Sequence, residues 1–164
     1  MNKEYSDEWY TPKYIFDALQ VEFDMHVAAP ADIDALHVPT DTFLHDSFNE
    51  QWEGFVWCNP PFSGRGEGKM KWIDKMYTHG NGILLTPDRT SAPWWPIAAS
   101  RCKALMFITG KVKFISPDGS IGQQPTNGTT LFAFGEKAVK ALKNAENKGL
   151  GIMFMNTYPT WSKN

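Results

Sequence analysis

The sequence predicts an α/β fold in which a mostly parallel sheet is covered by helices on both faces. Three observations carry this expectation. Short continuous apolar runs, such as Phe55-Val56-Trp57-Cys58 and Gly82-Ile83-Leu84-Leu85-Thr86, read as strands buried on both sides. Segments with helical spacing of apolar residues alternate with those runs. At 164 residues, 42% hydrophobic and 21% charged, the chain has the size and composition of one globular unit, taken as a single domain over 1–164.

The first helix is marked by Thr11 as N-cap, Pro12 at the first helical position, and Ile15, Phe16 and Leu19 on one face. Phe23 to Ala29 reads as a short strand ending in small residues, and Pro30 to Asp46 as an acidic, loop-rich stretch. The run Phe55 to Cys58 is a buried strand stopped by Asn-Pro-Pro. Gly64 to Gly68 is flexible and glycine-rich, and a helix follows through Thr78 with Met70, Ile73, Met76 and Tyr77 inward. After the strand Gly82 to Thr86, Ala92 to Cys102 is helical, with Pro96 expected to shorten or kink it. Ala104 to Thr109 and Thr130 to Phe134 are strands, and Lys111 and Lys113 alternate on a further strand. Glu136 to Lys148 is a helix closed by Gly149, and Gly151 to Met155 is the last strand. No repeat or low-complexity tract interrupts this order.

Several function classes are disfavoured at once. No apolar run approaches the roughly 20 residues of a membrane span, and the acidic start, Met1 to Glu8, lacks the apolar core of a signal peptide. Two cysteines, Cys58 and Cys102, make neither a disulfide framework nor a four-ligand zinc site, so a reducing intracellular setting is expected and no metal is implied. The net charge of −2 conceals an asymmetry. Residues 1–60 hold two bases against twelve acids, a net −10, and residues 61–164 hold fourteen bases against six acids, a net +8. A polyanion is attracted to the second part if folding segregates these charges; a dipolar surface without a partner is the alternative.

Ligands of parallel sheets lie beyond the C-terminal ends of the strands, and Asn59-Pro60-Pro61-Phe62 follows one such end. The arrangement suits methylation of an exocyclic amino group, whose lone pair is delocalised into its ring. Two acceptors aimed at the amino hydrogens, the Asn59 side-chain oxygen and the Pro60 carbonyl, would draw that nitrogen toward tetrahedral geometry. Successive prolines stiffen the loop, and Phe62 offers a face for stacking on a base. Asn-Pro is also a common turn starter.

With these residues in place, the chain resembles the phage-type, Dam-related DNA N6-adenine methyltransferases. Trp9-Tyr10-Thr11-Pro12 matches one family segment, and Phe23-Asp24-Met25-His26-Val27-Ala28-Ala29 a second. Asp46 to Trp52, Val56 to Phe62, and Leu84 to Thr90 follow in order, so the resemblance runs from about Asp7 to Phe134. It implies a Rossmann-like, S-adenosylmethionine-dependent methyltransferase of phage or prophage origin, working in the cytoplasm of a bacterial host on DNA with a flipped adenine. Tyr10, Thr11 and Pro12 would touch the methionine part of the cofactor, Val27, Ala28 and Ala29 would line the turn beneath it, and Asp46 would sit between cofactor and base.

The chain departs from the family at His26, where the resemblance implies an acid that could pair with the cofactor's ammonium. A neutral imidazole could only hydrogen-bond there, a protonated one would repel, and Asp24 is a candidate to compensate. Gly64 to Lys69 fails both the P-loop and the dinucleotide patterns. Its Arg65 and Lys69 fit a loop that contacts a phosphate backbone, or a plain surface loop. Arg89 and Trp94-Trp95 could grip DNA, although at least one tryptophan is expected in the core. Lys111, Lys113, Lys137, Lys140 and Lys143 form either a backbone-binding face or a solvated one. Cys58, inside a buried strand, is not expected to act as a nucleophile. Other acceptors compatible with the tetrapeptide are cytosine N4, RNA and a protein glutamine, and a non-catalytic nucleic-acid-binding relative is the rival from another class.

Overall fold

The structure, a computed structural model, describes residues 9–30, 32–34, 36–45, 47–61, 67–122 and 126–157. Asp46, Phe62 and Arg65, each expected at the site, lie outside the described residues, as do residues 1–8 and most of the glycine-rich segment.

The elements in chain order are α1 (Lys13–Leu19), β1 (Met25–His26), β2 (Val56–Cys58), α2 (Glu67–His79), β3 (Gly82–Pro87), α3 (Trp94–Arg101), β4 (Ala104–Ile108), β5 (Thr129–Phe134), α4 (Glu136–Asn147) and β6 (Gly151–Met155). The six strands form one sheet in the order β1-β2-β3-β5-β4-β6. Side chains alternate across it. Trp57, Ile83, Leu85, Leu131 and Ala133 pack with α1 and α4, whereas Val56, Cys58, Leu84, Phe132 and Phe134 pack with α2 and α3. The helices therefore cover both faces, as expected. None of the described helices is long and apolar enough to cross a membrane.

The sheet is mixed where a mostly parallel one was expected. β1, β2 and β3 pair in parallel, while β3–β5, β5–β4 and β4–β6 pair antiparallel. Each strand–helix–strand unit still joins strands of one direction: β2-α2-β3, β3-α3-β4 and β5-α4-β6. The long return from β4 to β5 reverses the chain without a helix among its described residues, and the last unit then interleaves with β3 and β4. Alternation of helix and strand reports the crossovers and is silent about this interleaving.

Local differences have local causes. Regular pairing in the 23–29 stretch survives only at Met25–His26. The amides of this stretch bond alternately to two sides: Phe23, His26 and Ala29 to the carbonyls of Pro39, Thr42 and Leu44, and Asp24 and Val27 to those of Phe55 and Trp57. Part of the expected 30–46 loop thus runs extended along the sheet edge. Pro12, not Thr11, occupies the cap of α1. The inner face of α2 carries Lys69, Trp72, Ile73 and Met76, while Tyr77 is 40% exposed beneath the Arg101 guanidinium. Pro96 falls in the first turn of α3, where its missing N–H has no intrahelical partner to lose. Lys111 and Lys113 are exposed in the return after β4, not on a strand of the sheet. Gly149, at φ +79°, closes α4.

Gly82 opens β3 against β2, and a Cβ there would stand 2.5 Å from the Val56 carbonyl oxygen and 2.6 Å from Val56 Cγ2. Gly82→Ala is expected to destabilise the fold by about 1–3 kcal/mol, because backbone on the neighbouring strand must move. A thermal melt should show this as a drop of several degrees in Tm, and an unchanged Tm would contradict so close an approach.

Candidate active site

Because β1, β2 and β3 are parallel, the chain leaves all three at one edge, and Asn59 is the first residue beyond β2. A cavity of about 130 Å³ opens there, with Tyr10, Thr11, His26, Ala28, Ala29 and Asn59 among its walls.

The Asn59 amide is oriented by its surroundings. Its Nδ2 donates to the Trp9 carbonyl at 3.3 Å and to Thr11 Oγ1 at 3.1 Å. A backbone carbonyl only accepts, so nitrogen, not oxygen, must face Trp9. Oδ1 is then turned away from this pair, and it has no donor among the described residues. Thr11 is buried and spends its side chain on Asn59 and not on capping α1. The segment carrying Trp9 and Thr11 is itself tied down: Tyr10 exchanges two backbone hydrogen bonds with Ile115, at 2.8 and 3.0 Å, and its phenol donates to the Asp32 carbonyl. Pro60 is buried and Pro61 exposed.

The floor is the chain leaving β1. Ala28 and Ala29 line the cavity, whereas Val27 points into the core shared with α2 and α3. Pro12, buried at the cap of α1, is not among the cavity walls. The Val27 carbonyl accepts from Ser47 Oγ at 2.6 Å and the Ala29 carbonyl from His45 Nδ1 at 3.1 Å. Since that carbonyl only accepts, His45 carries its proton on Nδ1.

His26 is 3% exposed, its ring set edgewise to Phe43 at 6.0 Å, and neither ring nitrogen has a hydrogen-bond partner among the described residues. Burial, with a smaller contribution from His45, lowers its pKa to about 3. The ring is therefore neutral at ordinary pH and does not repel a cation. Asp24 is not among the cavity walls; its Oδ2 accepts from the Phe55 amide at 2.6 Å behind the sheet edge.

Arg89 is exposed in the turn after β3, at the same edge as Asn59. Lys111 and Lys113 follow β4, which runs in the direction of β3, so they lie at that edge too. Lys69 is buried in the first turn of α2, its ammonium 5.5 Å from the Trp94 ring centroid. Trp94 and Trp95 are both core residues. Cys58 and Cys102 are buried free thiols; burial pushes Cys58 up, and Cys102 up to about 12, so neither is a ready nucleophile. No group of three or more potential metal ligands occurs among the described residues.

Sequence reasoning passed over His45 and Trp72, which line the cavity, and Ser47, which holds its floor. Ser47 had a signal in hindsight: Trp52, the last residue of the Asp46–Trp52 segment, donates its Nε1 to Ser47 Oγ at 2.9 Å.

No curated protein and no solved structure matches this chain. A family comparison does find a match, to DNA N-6-adenine-methyltransferase (Dam), over residues 1–158. That match spans the Asn59 edge, the cavity floor and the whole sheet, and the chain belongs to the DNA N-6-adenine-methyltransferase (Dam) family.

Proposed function

We propose that this chain methylates N6 of adenine in DNA with S-adenosylmethionine as donor, on a Rossmann-like methyltransferase fold whose sheet carries two antiparallel strands. The observation that carries the reading is the Asn59 amide, fixed through Nδ2 with Oδ1 left over at the strand edge.

The cavity fits one end of such a cofactor. Its small floor residues, Ala28 and Ala29, allow close approach, and the buried His26 nitrogens lack partners that a polar ligand could supply. At about 130 Å³ the enclosed part is smaller than the roughly 300 Å³ and upward of sites that enclose a whole ligand, so it suits the methionine end. Tyr10 and Thr11 would hold that end from above, with Pro12 behind them at the cap of α1; His26, Ala28 and Ala29 would form the floor, backed by the buried Val27, and Asp46 would stand between cofactor and base. Bound there, S-adenosylmethionine supplies an electrophilic methyl group on a sulfonium.

The residues of the chain do the rest. The target base is unreachable inside a duplex, so it is flipped out, at a cost of a few kcal/mol. Asn59 Oδ1 and the Pro60 carbonyl accept hydrogen bonds from the two amino hydrogens and free the nitrogen lone pair. The nitrogen would take the methyl as the donor's carbon–sulfur bond breaks and leaves a neutral thioether, and the methylated nitrogen would then lose one proton to water. Phe62 stacks on the flipped ring, and Pro61 helps hold the loop rigid. Arg65 and Arg89, joined by Lys111 and Lys113, meet the phosphate backbone, a role that burial against Trp94 denies to Lys69. Readout of a short target comes from the loops around 63–70, 87–95 and 115–129, within one domain. Protection of phage DNA inside a bacterial host is the corresponding role.

Expression in a host free of adenine methylation, followed by nucleoside analysis of its DNA, tests the reading. N6-methyladenine is expected, and N4-methylcytosine alone would overturn the choice of base. Calorimetry with S-adenosylmethionine tests the donor; absence of binding at millimolar concentration would favour a non-catalytic DNA-binding protein.

A further inference from the structure

One cation near the site has no role in the chemistry above. Lys75, on α2, donates to three backbone carbonyls of a single turn: Ser47 at 2.5 Å, Phe48 at 2.8 Å and Glu50 at 2.6 Å. Its ammonium also lies 5.0 Å from the Trp52 ring centroid. An ammonium has three N–H donors, so all of them are used. Most surface lysines stay solvated, whereas this one is partly desolvated, which lowers its pKa, with Glu50 opposing the shift.

The turn that Lys75 grips is connected to the cavity floor. Ser47 Oγ donates to the Val27 carbonyl, and Trp52 Nε1 donates to Ser47 Oγ. Two residues before Ser47, His45 donates to the Ala29 carbonyl, and the amides of Ala29 and Leu44 bond to the carbonyls of Leu44 and His26. On the other side, Phe48 packs on Trp72 at 4.2 Å, and Trp72 is a cavity wall. Leu44, His45 and Ser47 thus hold the floor by four hydrogen bonds, and Phe48 holds one wall by a ring contact. Ser47 and Phe48 are in turn tied to α2 by Lys75.

We propose that Lys75 is a positioning residue for the methyl donor: by locking the 47–50 turn it holds Val27 to Ala29 and Trp72 where the donor needs them. This rests on the assignment of the cavity to S-adenosylmethionine. Asn59 and its anchors, Trp9 and Thr11, are outside the hydrogen bonds of this clasp. The effect therefore falls on donor affinity and spares the methyl-transfer step.

Two variants and two readouts test it. Lys75→Met keeps the stem and removes the donors; Lys75→Arg restores charge and several donors. In the ligand-free protein, Lys75→Met is expected to speed hydrogen exchange at the Ala29 and Leu44 amides about tenfold, with Leu85 and Leu131 unchanged. In the enzyme, it is expected to raise KM for S-adenosylmethionine about tenfold while kcat at saturating donor stays within about twofold. Lys75→Arg should recover part of both effects. Unchanged exchange at the floor overturns the proposal. So does a uniform rise across the sheet with KM unchanged, which is the signature of a purely structural lysine. If the wild-type protein binds no S-adenosylmethionine, the donor assignment fails, and the exchange experiment alone then decides whether Lys75 holds the floor.

Discussion

Asn59→Ala is expected to lower kcat for methyl transfer by about 10²–10³-fold, the usual cost of deleting one preorganised polar group aimed at a changing charge distribution. S-adenosylmethionine affinity should stay within a few-fold of wild type if, as proposed, the Asn59 oxygen serves the base; the structure spends the amide nitrogen on Trp9 and Thr11. The reasoning is geometric. The amino nitrogen of adenine is planar in the ground state and tetrahedral in the transition state, so an acceptor placed for the second geometry acts on rate more than on binding. A milder change grades the effect. Thr11→Val leaves Oδ1 in place but removes one of the two anchors of Nδ2, a loss of roughly 1 kcal/mol and so about fivefold in rate. Single-turnover methyl incorporation, with calorimetry for the donor, separates the two steps. Asn59→Ala with near-wild-type turnover would remove this side chain from the chemistry and, with it, the chief support for the proposed mechanism.

The features legible in the sequence are those that reside in side-chain pattern. β2, β3 and β5 are continuous apolar runs because both sheet faces are covered, and α1 shows its buried Ile15, Phe16 and Leu19 by spacing alone. Asn59 could be placed at a strand end for the same reason. The direction of β5 and β6 was hidden, since the return between β4 and β5 has no helical period and its buried Val112 and Phe114 mimic a strand. The inner face of α2 was misjudged by Lys69, whose long stem is buried although its charge argues for solvent. Contacts made by backbone carbonyls leave no mark in a sequence: Trp9 orients Asn59, and Ser47, Phe48 and Glu50 hold Lys75, through atoms every residue has. His26 stood out as a departure, but its neutrality depends on burial beside Phe43 and His45, which only the fold supplies.

That neutrality carries a second large prediction: His26→Phe should flatten the loss of stability on acidification. The native ring is buried without partners among the described residues and protonates only near pH 3, burial being the main cause and the neighbouring His45 the lesser one. In the unfolded chain the same imidazole protonates near its ordinary 6.5. Above that value both states are neutral and His26 contributes no pH dependence. Below it the unfolded state binds one more proton than the native state, so stability falls as pH falls, by about 1.4 kcal/mol per unit, until the native ring titrates as well. The stability is thus fully present above 6.5 and is lost progressively toward 3. Phenylalanine keeps a ring against Phe43 and binds no proton. Denaturant unfolding from about pH 7 down to about pH 4.5 should therefore give a shallower slope for His26→Phe than for wild type, by about 1 kcal/mol per unit averaged over that range. The comparison cancels His37 and His79, which both proteins share, and leaves His45 as the one histidine that the substitution touches electrostatically. Parallel curves would mean that the native ring takes a proton as readily as the unfolded one. The imidazolium would then sit at the cavity floor in mild acid, and S-adenosylmethionine binding should weaken over the same range as its ammonium meets a like charge.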